Sequence, residues 1–88
     1  MFNSRRSEIE IIGEILKLSN NGARKTEILY QGNLSYSQLQ NYLSFLLENE
    51  VIEEKIIDDG NGSYKLYQLT DKGHNLLIDI NKTLTYFK

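Results

Sequence analysis

The sequence of 88 residues predicts an α+β domain that is mainly α: a three-helix core, a β-hairpin and a long C-terminal helix. Three observations carry that prediction. Apolar residues recur at three-to-four spacing in the first stretch, the middle and the last, as amphipathic helices require. Between the middle and the last, two runs rich in β-branched and aromatic residues flank Asp58-Asp59-Gly60-Asn61-Gly62-Ser63, a turn-forming loop, and so read as a hairpin. In a chain with no Pro, Asn20-Asn21-Gly22, Gly32-Asn33 and Gly60-Asn61-Gly62 are the punctuation between these pieces.

The first helix spans about Ser7 to Ser19. Ile9, Ile12, Ile15 and Leu16 form its apolar stripe, and Ser7 followed by Glu10 is a capping-box pattern. Ile11 and Leu18 widen that stripe to roughly half the circumference, so this helix is expected to be covered from two sides. A short second helix covers Arg24 to Gln31, with Ile28 and Leu29 inward and Gly32 as its C-terminal stop. Asn33-Leu34 turns the chain, and Ser35, with Gln38 at the box position, caps a third helix running to about Glu48. Leu39, Tyr42, Leu43, Leu46 and Leu47 are its core face. Val51–Ile57 and Tyr64–Leu69 are the two strands. Thr70 caps a last helix reaching about Phe87. Leu76, Leu77, Ile80, Leu84 and Phe87 occupy an arc of about 100° on it, with Ile78 outside. That helix would extend about 25 Å, twice the roughly 12 Å radius of gyration of a compact chain this long. Leu84 and Phe87 are therefore expected to project beyond the core.

Composition excludes several classes of function. There is no Cys, so no disulfide framework, thiol nucleophile or thiolate metal site, and the one His, His74, has no spaced ligand partner. The acids of 48–59 lack the order of a calcium loop, and Gly60-Asn61-Gly62 is a turn signal rather than a phosphate cradle. No catalytic constellation, cofactor site or small-molecule site is visible, so the expectation is a non-enzyme. No apolar run suits a membrane span, and Met1-Phe2-Asn3-Ser4-Arg5-Arg6 does not open a signal peptide, so a cytoplasmic protein is expected. Without repeats or linkers, residues 1–88 read as one domain, with 7–69 as core and wing and 70–88 as a C-terminal dimerisation helix.

Two helices joined by a short turn containing Gly, followed by a hairpin and a helix, is the order of a winged helix-turn-helix. Four segments resemble the small archaeal-type winged-helix proteins regarded as predicted transcriptional regulators. They are Arg6-Ser7-Glu8-Ile9 with Ile12; Gly22-Ala23-Arg24-Lys25-Thr26-Glu27-Ile28; Leu34-Ser35-Tyr36-Ser37-Gln38-Leu39 with Tyr42-Leu43; and Leu69-Thr70-Asp71-Lys72-Gly73. The resemblance covers essentially the whole chain. It implies a third helix that reads sequence in the major groove of double-stranded DNA, a wing on the flanking backbone or minor groove, and a homodimer through the last helix. The sequence departs from the family pattern in two places: Ser37, Gln40, Asn41 and Ser44 stand where relatives carry Lys or Arg, and the wing opens with Asp58-Asp59.

The third helix presents Tyr36, Ser37, Gln40 and Asn41 near its N-terminus, where this docking mode enters deepest, with Ser35, Gln38 and Ser44 beside them. Asn and Gln can pair bidentately with adenine, and Ser can serve either kind of base edge; guanine reading is disfavoured without guanidinium groups. Arg24 and Lys25 at the start of the second helix are the candidate phosphate contacts, with Arg5, Arg6, Lys65, Asn61 and Ser63 as further candidates. The net charge of −2 does not oppose this reading, because the segment 48–59 holds six of the twelve acids and one of the ten Lys and Arg. The rest of the chain carries six acids against nine bases, a remainder of +3.

The leading expectation is a site-specific homodimeric DNA-binding regulator, its interface formed by Ile11, Leu76, Leu77, Ile80, Leu84 and Phe87. A two-fold dimer would favour a pseudo-palindromic site. The alternative is a winged-helix protein-interaction module without direct DNA contact, which the polar third helix, the acidic wing and the net charge also fit.

Overall fold

Three N-caps set where the chain turns helical. The computed structural model describes residues 6–87, in the order α1 (Glu8–Ser19), α2 (Lys25–Gln31), α3 (Tyr36–Glu48), β1 (Ile52–Asp58), β2 (Ser63–Leu69) and α4 (Asp71–Thr85). At α1 the Ser7 N–H donates to Glu10 Oε1 at 3.1 Å while Ser7 Oγ accepts from the Glu10 N–H at 3.2 Å. The backbone and hydroxyl of Ser7 together hold the Glu10 carboxyl below the usual carboxylate range. Ser35 and Gln38 repeat the arrangement at α3 at 3.0 and 3.1 Å. Thr70 Oγ1 accepts from the Gly73 N–H at 3.0 Å to open α4. Each box satisfies helix-end donors that would otherwise lack partners.

The core is continuous from α1 to the base of the hairpin. Ile15, Leu16, Ile28 and Leu39 are fully buried, and Leu43, Leu46, Val51, Ile52, Tyr67 and Leu69 complete it. Ile28 is buried and Leu29 half-buried, as are Tyr42 and Leu47 at the margin of α3. The hairpin is antiparallel, with Ile52 opposite Leu69 at the base and Asp58 opposite Ser63 at the tip. The chain between α1 and α2 adds a third, single-residue rung: the Ala23 N–H donates to Tyr67 O at 2.9 Å and the Tyr67 N–H to Ala23 O at 2.8 Å. That rung ties the start of α2 to the wing.

Gly32 stops α2 as expected, as its C-cap with a right-handed backbone (φ −80°), and the left-handed position of the turn is Asn33 (φ 53°). An Asn tolerates that conformation because its short polar side chain costs little there. The last helix ends at Thr85 rather than Phe87. Arg6 is committed to the fold: its Nη2 donates to Gly32 O at 2.6 Å and to Asn33 O at 3.2 Å, fastening the α2–α3 turn. Arg5 lies outside the described residues.

The molecule is elongated, with a Cα radius of gyration of 13.8 Å and extents of 50 × 27 × 20 Å. Two glycines fix how α4 sits on the body. Gly13 of α1 lies beneath Ile80, where a Cβ would be 3.0 Å from Ile80 Cγ2. At Gly73 a Cβ would overlap the Val51 carbonyl oxygen outright. The Leu-Thr-x-x-Gly segment is thus a contact rule: the first turn of α4 rests on the backbone entering β1.

Ile11 and Ile80, expected at a subunit interface, are 7% and 3% exposed and buried within this chain. Ile80 packs over Gly13 of α1, and both isoleucines are already covered by this chain rather than presented to a partner. Leu76, Leu77 and Leu84 are half-buried, while Ile9, Ile78, Tyr86 and Phe87 are exposed.

Candidate nucleic-acid interface

The start of α2 is the meeting point of the interface. Arg24 precedes its first turn, and the Arg24 N–H donates to Glu27 Oε1 at 3.0 Å. The Arg24 guanidinium lies 3.8 Å above the ring centre of Tyr64, a cation–π contact that joins α2 to β2 of the wing. Lys25 points the other way. Its ammonium donates to Gln40 Oε1 at 3.2 Å and stands 5.9 Å from the Tyr36 ring. Gln40 Nε2 donates in turn to Tyr36 Oη at 3.0 Å. Arg24, Lys25, Tyr36, Gln40 and Tyr64 therefore form one connected polar and aromatic surface, drawn from α2, α3 and β2.

On α3 the residues Tyr36, Ser37, Asn41 and Ser44 are exposed, and Gln40 is half-buried by its partners. Ser35 and Gln38 are also exposed, but the cap occupies Gln38 Oε1 and one lone pair of Ser35 Oγ. What they retain for a ligand is the Ser35 hydroxyl proton, the Gln38 amide protons and one lone pair on each oxygen.

The acids of the wing are turned inward. Asp58 Oδ1 accepts from the Gly60 N–H and Asp59 Oδ1 from the Asn61 N–H, both at 3.0 Å, and the Asp59 N–H donates to Gly62 O at 3.2 Å. These carboxylates build the tip, with Gly60 (φ 88°) and Gly62 (φ 138°) taking its left-handed positions. Asn61 and Ser63 are exposed around that tip. Lys65 lies 3.8 Å from Glu54, so part of its charge is already answered. Glu54 Oε2 also accepts from the Tyr67 hydroxyl at 2.9 Å. Burial first, and the Glu54 bond and charge next, push the Tyr67 hydroxyl up to about 12.

The pairings Arg24–Tyr64, Lys25–Gln40–Tyr36, Ala23–Tyr67 and Arg6–Gly32 are absent from the sequence patterns. Each joins different elements or helix faces, and helical or strand periodicity says nothing about which faces meet. Among the described residues no group of three or more His, Cys, Asp or Glu could hold a metal ion, and no helix is long and apolar enough to cross a membrane.

The comparisons with known proteins agree with this architecture. Two uncharacterized proteins of Methanocaldococcus jannaschii are similar to the chain. MJ0290 is 40% identical over 79 residues, covering 89% of this chain and 34% of its own length. MJ0287 is 32% identical over 73 residues, covering 82% of this chain and 67% of its own length. The chain thus spans about a third of one curated relative and two thirds of the other.

Among solved structures, Sso10a-2, a DNA-binding protein from Sulfolobus solfataricus, superposes with a TM-score of 0.78 at 26% identity, over 92% of this chain and 81% of that one. The smu.1704 protein of Streptococcus mutans reaches 0.86 at 19% identity, over 98% and 86%. A PadR family transcription regulator from Clostridium difficile reaches 0.74 at 21% identity, over 88% of each chain. The model of the winged helix-turn-helix family matches residues 5–87. With the helix order, the capped third helix and the hairpin already in place, that match settles the family: the chain belongs to the winged helix-turn-helix proteins.

Proposed function

We propose that the chain is a DNA-binding transcriptional regulator acting as a homodimer, without enzymatic activity, in the cytoplasm where the chromosomal DNA of a prokaryotic cell lies. In this reading α3 enters the major groove with Tyr36, Ser37, Gln40 and Asn41 toward base edges. Arg24 and Lys25 meet the phosphates, and the wing follows the flanking backbone through Asn61, Ser63 and Lys65. Residues 7–69 are the reading part and 70–88 the dimerisation helix. The observation that carries the reading is the junction at the start of α2. One pair of adjacent cations is held simultaneously against α3 and against the wing, and those are the elements that would straddle a DNA backbone. The DNA-binding character of Sso10a-2 and the regulator family of the PadR protein support it.

Dimerisation is argued from the end of α4. Leu84 and Phe87 line one side of a groove of about 820 Å³, with Ile9 of α1 on the other. Phe87 is 81% exposed there. A second copy of α4 seated along this apolar edge would cover it and set two α3 helices about one DNA turn apart.

The wing supports a second reading, a protein-interaction module, because no base lies between Asp58 and Ser63. Selection from random duplexes separates the two. The regulator enriches a pseudo-palindromic site, whereas enrichment of nothing, with recovery of a bound protein, favours the interaction module.

A further inference from the structure

Gln40 is the one base-reading candidate on α3 whose amide is oriented by side chains on both sides. The Lys25 ammonium carries donors only, so the atom it meets at 3.2 Å is the carbonyl oxygen Oε1. The amide nitrogen is then turned toward Tyr36, whose hydroxyl oxygen accepts from it at 3.0 Å. The donor-only Lys25 ammonium thus fixes which way the amide faces, and the Tyr36 hydroxyl holds the amide in place at its other end. After making these two bonds Gln40 keeps one lone pair on Oε1 and one proton on Nε2. Ser37, Asn41 and Ser44 have no side-chain hydrogen bond among the described residues, so their orientation is free.

Resting on the DNA-reading role proposed above, we propose that Gln40 specifies adenine at one position of each half-site, with Lys25 and Tyr36 as positioning residues that lock its amide. Adenine offers a donor at N6 and an acceptor at N7, which matches the remaining acceptor and donor of Gln40. Guanine offers two acceptors, O6 and N7, and would set O6 against Oε1. A free glutamine escapes that conflict by swinging its NH₂ group toward O6. Here the swing would turn NH₂ onto the Lys25 ammonium, donor against donor, while the Tyr36 hydroxyl, able to donate as well as accept, would follow either orientation. Lys25 therefore excludes guanine indirectly, through the group it holds.

The test is binding-site selection from random duplexes with the full chain, run in parallel for the wild type, Gln40→Glu, Gln40→Ala, Lys25→Met and Lys25→Arg. The wild type is expected to require adenine at one half-site position, by roughly 10- to 100-fold over other bases. Gln40→Glu keeps an acceptor and loses the donor, which moves that one position to cytosine, whose N4 donates. Gln40→Ala flattens the position and leaves its neighbours unchanged, and carries the test should the new charge of Gln40→Glu repel DNA outright. Lys25→Met admits guanine there, and Lys25→Arg, also a donor-only group, restores adenine. A wild-type site whose every position is unchanged in both Gln40 variants overturns the proposal, and adenine preference intact in Lys25→Met overturns the lock. A wild type that enriches no sequence defeats the DNA-reading role itself, a separate outcome.

Discussion

Replacing Gly73 with Ala tests how α4 is seated. The added methyl meets the Val51 carbonyl oxygen, a backbone atom that cannot swing aside, and Leu69 Cδ2 stands 3.3 Å off on the same side. Relief requires the first turn of α4 to lift from the entry to β1. That movement strains the Thr70 N–H bond to Val51 O (3.1 Å) and the Thr70 hydroxyl bond to Glu50 O (2.6 Å). Each such bond has a net worth of about 1 kcal/mol, and the cap that Thr70 gives Gly73 adds about 1 kcal/mol. Alanine returns at most about 1 kcal/mol through its better helix propensity. The balance is a loss of about 2 kcal/mol, which lowers Tm by roughly 8–16 °C in a domain of this size. Gly13→Ala is the internal control, because its methyl would meet only Ile80 Cγ2, at 3.0 Å. A side-chain methyl can yield by a few tenths of an ångström, and the same propensity gain of about 1 kcal/mol applies, so that variant stays within about 1 kcal/mol of wild type. Urea unfolding followed by circular dichroism measures both. Gly73→Ala unfolding at the wild-type midpoint, or Gly13→Ala losing more than Gly73→Ala, would refute the reasoning.

Three further outcomes are expected. Ser19 is fully buried and its hydroxyl has no hydrogen-bond partner among the described residues; Ser19→Ala removes that unsatisfied group and should raise stability by about 1 kcal/mol in the same urea assay, a drop counting against it. Tyr67 should titrate near 12. Since its folded value lies above the ordinary 10, its contribution to stability is fully present below pH 10 and is lost as pH rises toward 12; the difference between the ultraviolet titrations of wild type and Tyr67→Phe isolates it, and a difference curve with its midpoint at 10 would contradict it. Deleting residues 83–88 removes Leu84 and Phe87 and should shift the light-scattering mass from dimer toward monomer; an unchanged mass would mean that the end of α4 is not the contact.

The helices and the hairpin were legible because each carries its own local signal. Ser7 with Glu10, Ser35 with Gln38, and Thr70 are caps whose chemistry acts over three residues, the range that sequence spacing describes. The hairpin was less so: Ile56 is exposed and Ile57 half-buried, because the strands leave the core as they approach the tip and alternation fades with burial. Ile11 and Ile80 mark a different limit. An apolar face states that a helix is covered, and both residues are covered by their own chain rather than by a second one. The candidate interface was legible in its parts, Arg24, Lys25, Tyr36 and Gln40, and illegible in its connections. Tyr64 carries no mark of a site in the sequence, and its place comes from the Arg24 guanidinium above its ring. The acids of the wing are likewise not legible as loop builders from composition, since Asp58 and Asp59 accept backbone N–H groups within the loop.

The most direct test of site-specific DNA reading is an anisotropy titration of the full chain on its selected duplex and on a scrambled duplex across a range of salt. Among the described residues, few cations stand at the candidate interface: Arg24 and Lys25, with Lys65 at the margin. A dimer should therefore show a slope of log K against log salt of only roughly −4 to −5. Binding should be tight on the selected site and weak on the scrambled one. Tight binding of both duplexes at moderate salt, with no preference between them, would contradict a site-specific regulator.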